Sequence, residues 1–386
     1  ARMYSLEVLL VFAGILVVRR SIERPSVGRL LPVAGIGAAL VWTHYWCISL
    51  VGATAVVLLA VAWRSRDAAR TAAIRTLVAL GLGSATFVAW LPAFLYQSQH
   101  TGTPWAVPQF PSIPIGSTFL DFAGGWHAEG WILFYVVVVL MVVGVFTTTT
   151  NETGFVLSLD ARNAVWPEAA VGALALVFGS TLAYVGGSGF QTRYSVIALP
   201  CFVIVVARGI DVIASTRWRA VVVGIVVLTG FAGGVRSFAT ERTQTAVVAS
   251  TIAARAHAGD VVVYCPDQLG PATHRVLQRT PVGASLHEVS FPVVLPASSN
   301  VELVDWVDYV ARLDSVSTKR AAVATLSLAG PHAAIWIVTS PGYITHDARC
   351  TPYIDAIAQL GRRQATSVVT PDADIYEHAG LYLLRP

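Results

Sequence analysis

The chain has 386 residues, of which 55% are apolar and only 12% charged, against ~25% charged in an average soluble domain. That composition excludes a wholly soluble chain and points to a polytopic membrane protein. The formal charge of +4 is unevenly split: residues 1–235 carry 14 basic and 9 acidic side chains, and residues 236–386 carry 12 and 13. A basic surplus confined to the apolar part is a topology signal and not a nucleic-acid footprint.

In chain order, eight apolar stretches predict membrane spans, over residues 3–18, 30–42, 46–63, 76–96, 130–146, 167–186, 194–213 and 220–235. A span needs roughly 20 mostly apolar residues. The second and third are short and close together, so they read as a tight helical hairpin or a re-entrant pair. Glu7 lies inside the first stretch, which argues against a cleaved signal peptide. The motif GGSG at 186–189 ends a span and reads as a helix terminus, not a nucleotide loop.

Orientation follows from the arginines. One set of loops holds Arg19, Arg20, Arg24 and Arg29, then Arg64, Arg66, Arg70 and Arg75, then Arg162, Arg208, Arg217 and Arg219. The opposite set holds only Arg2 and Arg193. The positive-inside bias assigns the first set to the cytoplasm. The N-terminus, the loop 97–130 and everything after residue 235 are then expected outside, in the plasma membrane of the cell.

The tail, residues 236–386, predicts a small extracytoplasmic α/β domain. DVVVYCP and AAIWIVTSPG read as buried strands, SVVT and LYLL as further strands. DQLGPATHRVLQRT, VELVDWVDYVARL and CTPYIDAIAQLGRR read as helices, which suggests a parallel or mixed sheet with helical cover. Cys265 ends one predicted strand and Cys350 opens the helix after another. The two fall at one sheet edge in an oxidising compartment, so we expect a disulfide; two ordinary semi-buried thiols are the alternative. Cys47 and Cys201 read as small packing residues in spans.

By this topology the polar groups of the apolar part gather at its outer rim. They include Arg2, Tyr4, His44, Tyr45, Gln97, Gln99, His100 and Trp105. Asp121, Trp126, His127, Glu129, Gln191, Arg193 and Tyr194 complete the set. Ionisable groups at membrane depth are costly and commonly functional. Arg2 and Arg193 run against the positive-inside bias, and each has a tyrosine close behind it, in ARMYS and TRYSV. A guanidinium suits a phosphate, and the phosphate at this depth is a lipid head group. Tyr4, Tyr45, Tyr194 and Trp126 read either as interfacial anchors or as groups that pack on a sugar or prenyl chain. His44 and His100 read either as satisfied interfacial groups or as ligands, and Asp121 and Glu129 as surface charges or catalysts. Glu7 is expected to pair with a basic or amide group inside the bundle, with a catalytic role as the alternative. No zinc-type Cys/His spacing is present.

The segment ARMYSL resembles the Glu-Ala-Arg-Met-Tyr-Ala-Leu segment of bacterial membrane glycosyltransferases of the GT-C superfamily, relatives of protein O-mannosyltransferases and aminoarabinose transferases. WTHYWCISLVG resembles their His-Tyr span boundary, and FQTRYSVIALPCFVIVVARGI their late Arg-Tyr span. WLPAFLYQSQHTGTPWAVP and GDVVVYCPDQLGP resemble actinobacterial members. The resemblance covers nearly the whole chain. It implies a polyprenyl-phosphate sugar donor, a cell-envelope acceptor and inversion at the anomeric carbon. It also implies that the leaving phosphate is stabilised by arginines, here Arg193 and Arg2, or by a divalent metal ion. The loop 97–130 would be a partly mobile cover over the site. In such enzymes further spans and a large external loop precede the Arg-Met-Tyr segment, and that loop carries the acidic general base. The resemblance therefore makes this chain a C-terminal part of such an enzyme, with its base ahead of Ala1; Asp121 and Glu129 do not match it in position.

Two rivals stand beside the enzyme reading. A transporter or lipid flippase would carry its charges near mid-membrane, whereas here they cluster at one rim. A non-catalytic scaffold that binds envelope glycan through its tail is the other.

Overall fold

The computed structural model describes residues 3–101, 107–150, 154–157, 165–292, 303–304, 307–342 and 347–386. The chain forms two compact units, Ala1–Leu95 with Val107–Phe238, and Tyr96–Ala106 with Ala239–Pro386.

The first unit is helical: α1 (Tyr4–Glu23), α2 (Val27–Thr43), α3 (Cys47–Arg64), α4 (Asp67–Ala85), α5 (Leu91–His100, whose last turn belongs to the second unit), α6 (Ser112–Phe122), α7 (Ala128–Phe146), α8 (Trp166–Val185), α9 (Leu199–Asp211) and α10 (Thr216–Ala239). A short antiparallel hairpin, β1 (Thr147–Thr150) and β2 (Gly154–Leu157), follows α7. Among the described residues six helices are long and apolar enough to cross a membrane, so this is a helical membrane protein. Their bounds are Cys47–Arg64, Asp67–His100, Ala128–Phe146, Trp166–Val185, Thr192–Asp211 and Thr216–Ala239. Of the eight stretches expected, α2 is a shorter apolar helix, and α1 carries Glu7, Arg19, Arg20 and Glu23 within its 20 residues.

Prolines divide the two composite spans. Pro200 sits in the first turn of α9, where its missing N–H and its ring cannot continue a helix from upstream. The residues ahead of it wind instead as a 3₁₀ segment, Thr192–Ala198. Pro92 has the same effect in α5, behind a 3₁₀ segment at Thr86–Trp90. The terminus of α8 uses GGSG as a Schellman cap. Gly187 has φ +69°, its N–H reaches Tyr184 O, and the Ser188 N–H reaches Ala183 O.

Small residues let helices meet backbone to backbone. A Cβ on Gly83 would lie 1.9 Å from Ala34 O, and one on Gly209 would lie 2.0 Å from Leu140 O. Close approach at small residues is how helices gain packing where lipid supplies no hydrophobic drive. Within 97–130 the described residues include regular structure. Tyr96–Ala106 groups with the second unit, and α6 is helical, with Pro114, Thr118 and Leu120 buried.

The second unit has three layers. Its sheet runs β4–β3–β5–β7–β6, built from β3 (Val261–Cys265), β4 (His287–Ser290), β5 (Ile335–Thr339), β6 (Ala365–Val369) and β7 (Gly380–Leu384). Strand β3 is parallel to β4 and β5, while β7 is antiparallel to β5 and β6. Every residue of β3 and β5 is buried, as unbroken apolar runs covered on both faces require. Alternate side chains take opposite faces. Val261, Val263, Ile335 and Ile337 pack towards α14 (Thr318–Ala329) and α15 (Asp347–Gly361). Val262, Tyr264, Trp336 and Val338 pack with α11 (Thr245–Arg255) and α12 (Gly270–Leu277).

One helix is shorter than its pattern. Among the described residues, VELVDWVDYVARL holds α13, Tyr309–Ser315. Asp308 has φ +51°, a left-handed conformation that ends any helical run from upstream. Leu303 and Val304 are not helical, and Val301 lies outside the described residues. The helix expected from Asp267 begins as a 3₁₀ turn, Asp267–Leu269, before α12. Cys265 and Cys350 form a disulfide, with sulfurs 2.07 Å apart inside the α14–α15 side of the core.

Candidate functional site

Three segments of the first unit converge at one end of its bundle: the start of α1, the turn between α2 and α3, and the 3₁₀ segment ahead of α9. Between them lies an open recess of about 380 Å³, lined by Met3, Tyr4, His44, Arg193 and Tyr194. Each wall has a local cause. Extended backbone at His44, with φ −159°, ends α2 and turns the chain into α3. The 3₁₀ winding imposed by Pro200 carries Arg193 and Tyr194 on adjacent residues of a tight turn.

Aromatic rings hold the recess in shape. His44 meets Tyr4 edge-on at 6.0 Å and Tyr194 in a tilted contact at 5.8 Å. Tyr194 is stacked on Trp46 with centroids 5.5 Å apart, and Trp46 meets Phe190 edge-on at 5.2 Å. The Arg193 guanidinium lies over the Tyr194 ring, its central carbon 5.3 Å from the centroid, and its Nη2 is 3.5 Å from the Tyr194 hydroxyl. Such a cation–π contact fixes the direction in which the guanidinium points. Under the recess, Glu7 is fully buried one turn into α1. Its Oε1 is 4.0 Å from His44 Nδ1, and neither atom has a hydrogen-bond partner among the described residues.

Among the described residues of the first unit, no other sequence candidate lines the recess. Tyr45 turns away from the recess: its hydroxyl accepts from Trp90 Nε1 at 3.0 Å, and its ring packs edge-on against Phe94. Trp126 is exposed and meets Trp131 edge-on at 5.7 Å. Glu129 is held by Arg236, with Nε 2.5 Å from Oε1. His100 belongs to the second unit, where its Nδ1 lies 2.6 Å from Asp308 Oδ1 and its carbonyl accepts the Asp308 N–H. Gln97 is in the same segment, and its carbonyl accepts from the Thr101 hydroxyl. Arg2 and Trp105 lie outside the described residues. Met3, Trp46 and Phe190 belong to the recess or its backing and were not among the sequence candidates. The tryptophans that bracket His44 and Tyr45 in WTHYW were the available signal.

Among the described residues no group of three or more His, Cys, Asp or Glu side chains is arranged to hold a metal ion. The polar clusters of the second unit serve its core. Asp260 Oδ1 accepts from Ala334 N, and its Oδ2 accepts from His257 N and Trp336 Nε1, which ties the start of β3 to β5. Tyr264 donates to Glu288 Oε2 at 2.6 Å. Burial, with the Glu288 carboxylate beside it, pushes the Tyr264 phenol well above its ordinary range. Arg363 donates to the carbonyls of Ala333 and Gly330 at the end of α14, and its burial lowers the guanidinium from its usual value.

Compared with known proteins, the chain matches no family model, no curated protein and no solved structure.

Proposed function

We propose that this chain serves a glycosyl transfer that moves a sugar from a polyprenyl-phosphate donor to a cell-envelope acceptor. In this reading the eight helical stretches are spans, the end of the bundle that holds Tyr4, His44 and Tyr194 faces outward, and the tail domain lies outside the membrane. The observation that carries the proposal is Arg193, seated over Tyr194 in an open, aromatic-walled recess. The reading is also supported by the scarcity of arginine at this end of the bundle against its abundance at the other.

The chemistry is a displacement at the anomeric carbon. An acceptor hydroxyl oxygen bonds to that carbon while the bond to the phosphate oxygen breaks. The hydroxyl proton passes to a carboxylate base, and the lipid monophosphate leaves with the bonding pair. Arg193 meets the charge that develops on the phosphate, and a fixed donor there acts most strongly when water is excluded. Tyr4 and Tyr194 offer ring faces to the sugar or the first prenyl unit. His44, held between those two rings, offers an imidazole nitrogen to a sugar hydroxyl.

The test is binding of a polyprenyl monophosphate to the chain in lipid nanodiscs. Replacing Arg193 with Ala is expected to weaken binding roughly 10- to 100-fold, the range of a charge-assisted, partly buried contact. Equal affinity of wild type and R193A would overturn the reading and favour a glycan-binding scaffold.

A further inference from the structure

The first unit holds a second cavity, of about 310 Å³, at the other end of α1. The two linings share no residue, so this cavity and the recess are distinct. Its walls are mostly hydrocarbon from six helices, among them Val11, Ile15, Val33, Leu58 and Val171. Its mouth is charged: Arg19, Glu23 and Glu168 line it. Arg19 Nε donates to Glu168 Oε1 at 2.6 Å. Glu168 is only 6% exposed, and its second oxygen, Oε2, is buried with no hydrogen-bond partner among the described residues.

A buried carboxylate oxygen without a donor is costly. Apolar walls give a lone water few partners, and a stable buried water makes about three hydrogen bonds. A ligand that fits must therefore bring a hydrocarbon chain for the walls and an N–H or O–H donor for Glu168. The donor should be cationic, because the unmatched oxygen belongs to a carboxylate and a second carboxylate, Glu23, lines the same cavity.

We propose that this cavity binds one chain of a phospholipid with a primary-amine head group, its ammonium on Glu168 Oε2. A choline head group carries a cation but no N–H, and a glycerol head group carries donors but no cation. An amine head group supplies both. The proposal is independent of the glycosyltransferase reading.

The full chain is reconstituted in nanodiscs of equal parts phosphatidylethanolamine, phosphatidylcholine and phosphatidylglycerol. It is then released into mild detergent, and retained lipid is identified by native mass spectrometry. Wild type is expected to keep one phosphatidylethanolamine in preference to the other two. Glu168→Gln keeps an acceptor for Arg19 but loses the charge, and is expected to reduce that preference roughly tenfold. Val171→Phe fills the cavity and is expected to abolish retention of any lipid. Retention of all three lipids alike by wild type, no retained lipid, or an unchanged preference in E168Q would each overturn the proposal. Head-group competition in wild type decides the matter even where a variant fails to fold.

Discussion

Glu7 Oε1 and His44 Nδ1 face each other across 4.0 Å beneath the Arg193 recess. That spacing is too long for a hydrogen bond and short enough for strong electrostatic coupling at a buried site. Glu7→Gln and His44→Asn, alone and together, are therefore expected to be non-additive. A coupling of about 0.5–3 kcal/mol is expected in denaturant unfolding in micelles. Additive effects would show that the two groups do not sense one another.

The α7–α9 contact depends on a missing side chain. Gly209→Val places a Cβ 2.0 Å from the Leu140 carbonyl oxygen, so the helices must separate. A loss of about 1–3 kcal/mol is expected in the same unfolding measurement. Gly81 is a helical glycine whose Cβ would meet nothing within 4 Å, and Gly81→Ala is expected to be neutral or stabilising.

Glu377 gives the second unit a pH dependence. Burial raises its carboxyl above the usual carboxylate range. A folded-state value above the unfolded one means that its contribution is full at acid pH and is lost as pH rises through the raised value. Glu377→Gln is expected to raise the unfolding temperature at neutral pH, with the gain fading as pH falls below the usual carboxylate range. A gain of the same size at every pH would assign the effect to packing instead.

The Cys265–Cys350 bond spans 85 residues of sequence. Replacing both cysteines with Ala removes the restraint from the unfolded chain and is expected to cost the second unit about 2–4 kcal/mol. Comparison of unfolding with and without reductant checks this: reductant should destabilise wild type and leave the double variant unchanged.

Much of the architecture is legible because its residues face one uniform environment. The runs that become α3, α7 and α8 are apolar almost throughout, and VVVYC and IWIVT read as strands because both faces of β3 and β5 are covered. The recess is harder to read. His44 and Tyr45 are neighbours, and no periodicity says that one lines the recess while the other packs under Trp90. The short turn between α2 and α3 decides it, and turn geometry has no repeating pattern. Arg193 is legible because it runs against the positive-inside bias and precedes a tyrosine, but its seat on Tyr194 arises from 3₁₀ winding ahead of Pro200. In the tail, the apolar spacing before Tyr309 suggests a longer helix, and the left-handed backbone at Asp308 overrides it.

The position of β7 has a consequence for how the tail is made. Strand β7 lies between β5 and β6, although it follows both in sequence. As the chain is synthesised, β3, β4 and β5 can pair as soon as they emerge, but β6 then has no neighbour and one edge of β5 stays bare. The sheet closes only when β7 slots between them. A ribosome or translocon that pauses between residues 369 and 380 would thus hold an open, adhesive edge, and the speed of that last step sets how long the nascent tail is exposed to mispairing.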